Sequence, residues 1–191
     1  GRSTIQTFWS SDNYGVMKIE IIDNVISDID SYRAEILSNG FSEYDTPAGL
    51  FKGVKERGND ELVDYLKALY PKYKVSLNMA RQSPYGQEEP NFVHHDSDMG
   101  EITCILYLTK NIDKLDGTTL YNEDNTISAI AKARTNRLVV FPSYILHSRN
   151  ILKNYGAGDD ARLIQVCWLV KNKKDYTLND DIKQRKKEKD N

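Results

Sequence analysis

Histidine is scarce in this chain of 191 residues, and two of the three stand side by side in NFVHHDSDMG, Asn91 to Gly100. Cysteine is scarcer still. Cys104 and Cys167 each lie inside an apolar run, so a disulfide framework is excluded; two free, buried thiols in a reducing, cytoplasmic setting are expected. No apolar stretch approaches the roughly 18 residues that a spanning helix needs, the longest being ITCILYL and RLIQVCWLV, and no membrane passage is expected. The opening GRSTIQTFWSSDNYG lacks the basic-then-apolar layout of a secretory leader. A large charge of one sign is missing too: the formal net charge is -2, and the basic residues that cluster do so in KNKKDYTLNDDIKQRKKEKDN, interleaved with acids. Nucleic acid is therefore disfavoured as a partner. Residues 173–191 are expected to be a charged tail following one domain of residues 1–172.

What is present is an ordinary globular composition, 39% hydrophobic and 28% charged, enough at this length to bury a core. Met17, Ile19 and Ile21 alternate with Lys18 and Glu20, which predicts a half-buried strand. SDIDSYRAEILSNG predicts a helix with Ser27 as its cap, Ile29, Ile36 and Leu37 as its apolar face, and Asn39-Gly40 as its stop. A second helix is predicted from Asn59 as cap, through Leu62, Val63, Leu66 and Leu69, to Pro71. Between the two, FSEYDTPAGLFKGVKERG carries Pro47, Gly49, Gly53 and Gly58 and reads as a long surface loop. Tyr44 and Phe51 in it are possible substrate contacts.

From Tyr73 onward the runs YKVSLNMAR, NFVHHD, EITCILYLT, TTLYN, TISAIAKA, RLVVF and ARLIQVCWLV are separated by Gly, Pro, Asn and Asp, the spacing of a β-sandwich or barrel. The fold class expected is α+β: a jelly roll, or double-stranded β-helix, with N-terminal buttressing helices.

In a strand, residues two apart share a face, so His94 and Asp96 would point together and His95 away. An imidazole and a short carboxylate placed this way can reach one metal, and His147 in FPSYILHSRN is the remaining histidine available as a third ligand. Two histidines and one carboxylate on one face of a divalent ion leave its other positions open, the arrangement associated with non-haem Fe(II) oxygenases. The competing reading is a cupin-like binding module whose histidines are structural or hold another metal.

Five elements in order resemble the Fe(II)- and 2-oxoglutarate-dependent oxygenases, in their prolyl-hydroxylase-like branch: VHHDSDMGEITCILYLT, DGTTLY, NRLVVFPSYILHSRN and RLIQVCW carry the H-x-D, the following strand, the turn, the distal histidine and the final arginine. DGTTLY departs from the usual Gly-Gly-x-Leu by Asp116. The resemblance implies His94, Asp96 and His147 as iron ligands, and Arg162 and Tyr107 as partners of the distal carboxylate of 2-oxoglutarate, with Arg149 as a rival arginine. It implies oxidative decarboxylation of 2-oxoglutarate to succinate, consuming O2 at Fe(II), coupled to hydroxylation of an aliphatic carbon in a peptide or a small molecule. An aspartate at position 96 is what hydroxylating members carry; halogenating members have vacated it. Nucleic-acid demethylases of the same superfamily typically carry a second arginine six residues after the first, where this chain has Trp168.

Overall fold

The computed structural model describes residues 4–12 and 15–172; the charged segment 173–191 lies outside the described residues. The first strands, β1 (Ile5–Asp12) and β2 (Gly15–Asp23), form an antiparallel hairpin. Helix α1 (Ile29–Leu37) follows. Its cap is Asp28, whose carboxylate accepts from Ser31 N at 3.1 Å, one residue later than the serine expected. The cap of α2 (Glu61–Leu69) is likewise shifted by one, from Asn59 to Asp60, which accepts from Val63 N at 3.0 Å. Leu62, Val63 and Leu66 are its buried stripe.

The segment between the helices is not a loop. It forms β3 (Ser42–Thr46) and β4 (Gly49–Glu56), a hairpin that extends the edge of the main sheet. The turn-forming residues that suggest a loop serve the hairpin instead. Thr46 Oγ1 accepts from Ala48 N and donates to Gly49 O across the turn. At Gly53 φ is 68°, and a Cβ would stand 2.1 Å from Gln82 O, so glycine lets β4 lie against the next strand, β5 (Tyr73–Ser83).

The rest is β6 (Ile102–Tyr107), β7 (Gly117–Tyr121), β8 (Ile127–Lys132), β9 (Arg137–Pro142), β10 (His147–Arg149) and β11 (Arg162–Lys171). They pair antiparallel into an eight-stranded sheet, β1-β2-β9-β6-β11-β5-β4-β3, and a three-stranded sheet, β10-β7-β8. From β5 onward the chain passes back and forth between the sheets, with β7 and β8 a hairpin within the small one, as in the expected double-stranded β-helix. One strand is missing from the expected set. NFVHHD is irregular, and only His94 pairs, through a single bridge to His147.

Strand parity divides the core in two. Toward the helices, Cys104 and Leu106 of β6, Leu138 and Val140 of β9, and Leu163, Cys167 and Leu169 of β11 pack with Ile36, Leu62 and Leu66. Toward the small sheet, Ile105, Tyr107, Val139 and Phe141, with Ile164 and Val166, pack against Leu120 and Ala131. Because the large sheet is covered on both sides, β6 and β9 read as unbroken apolar runs rather than as alternating ones. Both cysteines are free and buried. Among the described residues no helix is long and apolar enough to cross a membrane.

Candidate active site

The layer between the two sheets carries polar groups at two ends, and each end is built by register. At the first, His94 N donates to His147 O (3.0 Å) and His147 N to His94 O (2.8 Å), so the irregular segment is stitched to β10 at the residues that carry the imidazoles. Asp96 N donates to Ser143 O at 2.8 Å, and a turn closes with Met99 N on Asp96 O. Ligand atoms of His94, Asp96 and His147 all lie within 4.8 Å of one another. His94 Nε2 is 3.3 Å from Asp96 Oδ1 and His147 Nε2 is 3.4 Å from Asp96 Oδ2. His95 is exposed and takes no part.

The outer hydrogen bonds orient these groups. Nδ1 of His94 faces Phe92 O and Nδ1 of His147 faces Ile145 O, each at 3.0 Å. A carbonyl oxygen only accepts, so each Nδ1 carries the ring proton and each Nε2 turns a lone pair toward the Asp96 carboxylate. Lone pairs facing a carboxylate repel; an intervening cation, or a proton on each ring, removes the conflict. Two imidazole nitrogens and a carboxylate, with their tautomers set from behind, are a donor set suited to a divalent transition metal.

Asp96 is itself anchored. Its Oδ2 accepts from Thr103 Oγ1 and from Trp168 Nε1, each at 3.2 Å, and Thr103 Oγ1 also meets Ser143 Oγ. Burial alone would raise its pKa, but His147 and His94 with a proton on Nε2, together with the Trp168 N–H, outweigh this and hold the carboxyl well below its ordinary range. The contact with Asp96 raises His94 above the usual imidazole value. Trp168 is thus a hydrogen-bond donor to the site. No sequence signal separates an indole that packs from one that donates.

Along the cavity face of β11, Val166 and Ile164 lead from Trp168 to Arg162, as parity predicts. Arg162 is 5% exposed and its Nε donates to Asp116 Oδ2 at 2.8 Å. Tyr107, fully buried, is hydrogen bonded to Thr118 Oγ1, and its hydroxyl pKa is pushed up to about 12 by burial. Arg149 faces the same end, pairing with Glu89 at 3.4 Å and donating from Nε to Ile151 O. Glu89 also holds Arg81 of β5 at 2.9 Å. Three guanidinium groups against the two carboxylates Glu89 and Asp116 leave one positive charge in excess. Both rival arginines therefore reach this end, differing in their acidic partner. Glu89 and Asp116 were not foreseen as site residues, because a lone acid in a loop carries no sequence signature.

No family model and no curated protein matches the chain. Solved structures do match in fold. The non-heme alpha ketoglutarate dependent epimerase SnoN from nogalamycin biosynthesis superposes with a TM-score of 0.57 over 78% of this chain and 74% of its own, at 12% identity. A prolyl hydroxylase from Trichoplax adhaerens, in complex with a hypoxia inducible factor peptide fragment, gives 0.56 over 79% and 82%, at 16% identity. The fold is that of the 2-oxoglutarate/Fe(II) oxygenases. The irregular segment holding His94 and Asp96 lies at the edge of the small sheet, beside β10. The mouth next to it exposes Phe92 and Val93, with Phe92 packed edge-on against His94 at 5.0 Å.

Proposed function

We propose that the protein is an Fe(II)- and 2-oxoglutarate-dependent dioxygenase that hydroxylates an aliphatic carbon of a peptide or small molecule. The observation that carries the reading is the convergence of His94, Asp96 and His147, with both Nε2 atoms turned toward one another, between the same two sheets as an arginine cluster one positive charge in excess. His94, Asp96 and His147 would hold the iron, and Arg162 with Tyr107 would hold the distal carboxylate of 2-oxoglutarate. Iron, when bound, supplies oxygen activation and a binding place for the keto-acid end of the co-substrate.

The chain's own groups do the positioning. Asp96 contributes the one negative charge of the triad and is kept ionised by its neighbours. Thr103 and Trp168 fix the direction of its carboxylate. Ile105, Leu120, Ile164 and Val166 pack between the two ends as apolar surface, which excludes water and strengthens the charge-assisted contacts that Arg162 can make. Phe141 packs edge-on against His147 at 4.8 Å and closes the inner side.

The fold neighbours include both a prolyl hydroxylase and an epimerase. An aspartate retained at position 96 supports hydroxylation over halogenation. Trp168 at the place of a second arginine, together with the formal charge of -2, disfavours a nucleic-acid demethylase.

The test is anaerobic titration of the protein with Fe(II) and then 2-oxoglutarate. A weak visible charge-transfer band that appears only with both is expected, followed on admission of oxygen by formation of succinate. Absence of the band and of succinate would leave the binding-module reading in its place.

A further inference from the structure

Arg162 does not enter the cavity as a free cation. Asp116 Oδ2 accepts from Arg162 Nε at 2.8 Å and from Tyr155 Oη at 2.7 Å, while Asp116 Oδ1 accepts from Gly117 N at 2.7 Å. The Asp116 side chain has no solvent exposure. A carboxylate buried so completely is costly unless paired and hydrogen bonded at both oxygens, and here it is.

The backbone aims it. Asp116 N donates to Asp113 O, Ala133 N donates to Asp116 O, and a Cβ at the following Gly117 would stand 2.4 Å from Ala131 O. Glycine at 117 lets the head of β7 lie tight against β8, which leaves the Asp116 side chain turned into the cavity.

We infer that Asp116 is a positioning residue for recognition of the co-substrate's distal carboxylate, an inference that rests on the 2-oxoglutarate reading of Arg162. A guanidinium presents five N–H donors in a rigid fork. With Nε held by Asp116, rotation about the end of the side chain is arrested, and the terminal nitrogens, which donate to no protein atom among the described residues, remain for a two-point contact with a carboxylate.

Burial by itself weakens the charge on Arg162. The field and hydrogen bond of Asp116 more than compensate, so the guanidinium pKa stands above its ordinary value.

Charge and geometry make opposite forecasts here. Removing Asp116 adds a net positive charge to the cluster, which by attraction alone would tighten binding of a dianion. Loss of the hold on Nε would loosen it. The contact acts directly on the ligating fork, whereas the repulsion reaches the ligand from behind the guanidinium, so geometry prevails.

Calorimetric binding to the Mn(II)-loaded protein tests this with two probes: 2-oxoglutarate, and 2-oxobutyrate, which shares the keto-acid end and lacks the distal carboxylate. Asp116→Ala should weaken 2-oxoglutarate at least tenfold and leave 2-oxobutyrate within about twofold. In an Arg162→Ala background the same change should shift 2-oxoglutarate less than twofold, because the group that Asp116 aims is gone. Unchanged or tighter 2-oxoglutarate binding, equal weakening of both keto acids, or additive losses in the double variant would each overturn the inference. If Asp116→Ala does not fold, Asp116→Asn carries the same comparison, with a selective loss of threefold or more expected and an unselective one counting against. A wild-type protein that binds no 2-oxoglutarate at all would fail the functional reading instead, a separate outcome visible in the first titration.

Discussion

The two faces of the eight-stranded sheet both bury polar side chains, and they dispose of them differently. On the helix side, Gln165 is fully buried and its amide is closed on protein: Oε1 accepts from Tyr32 Oη, and Nε2 donates to Asp60 Oδ2 and Asn78 Oδ1. Asp60 in turn caps α2 and pairs with Arg57. Each of these groups serves another, and the network ties both helices to β11. On the cavity side the groups are left incomplete. Two imidazole nitrogens face one carboxylate, three guanidinium groups meet two carboxylates, and among the described residues Arg81 Nε, Ser83 Oγ and Asn154 Oδ1 are buried without a partner, against Arg33 Nε alone on the helix side. A buried polar group matched within the protein serves the fold, while a set left short of one cation at one end and one anion at the other is poised for ligands.

Breaking the histidine end should have the largest effect. Asp96→Ala or His147→Ala is expected to weaken Fe(II) or Mn(II) at least a hundredfold and to abolish the metal-dependent rise in Tm, while His95→Ala keeps both. Metal titration followed by thermal melts checks this, and retained tight binding in His147→Ala would sink the triad.

Next comes the arginine end. Arg162→Ala removes the charged partner of a desolvated carboxylate, a loss of about 2–5 kcal/mol, so KM for 2-oxoglutarate should rise at least tens-fold with metal affinity intact. Arg149→Ala should do less, because Arg149 is engaged with Glu89 and Ile151 O; the reverse order would transfer the role to Arg149.

The helix face should respond in the opposite currency. Gln165→Met keeps approximate shape but leaves Tyr32, Asp60 and Asn78 short of partners, and about 1–3 kcal/mol of stability should be lost in chemical denaturation. Metal and 2-oxoglutarate affinities of the folded variant should stay within twofold. A loss of metal affinity there would erase the distinction between the two faces.

The smallest expected effect sharpens the boundary. Trp168→Phe retains the ring and deletes the N–H that holds Asp96 Oδ2, so metal affinity should fall roughly tenfold with little change in Tm of the metal-free protein. An unchanged affinity would return Trp168 to packing alone.

What could be read in advance was local or periodic. The face of β11 bearing Arg162, Ile164, Val166 and Trp168 follows from a period of two, and α2 from a stripe at helical spacing. His94 and Asp96 were paired by the same parity argument although no strand forms there. They converge because a single bridge to His147 and a bond from Asp96 N to Ser143 O extend the segment locally. The β3–β4 hairpin was misread because glycine and proline signal a break in the chain and are silent on close approach: Gly53 is needed by Gln82, some thirty residues away.

By itself, then, the amino-acid order determined which side chains share a face of each strand, the ligand types available, and the lack of a long apolar span. Only the tertiary structure decided that Asp116 would meet Arg162, that Glu89 would join Arg81 to Arg149, and that Trp168 would donate to Asp96. The reason is physical. Periodicity records the direction of a side chain relative to its own strand, whereas a buried charge finds its partner through strand register and loop closure, which depend on segments distant in sequence.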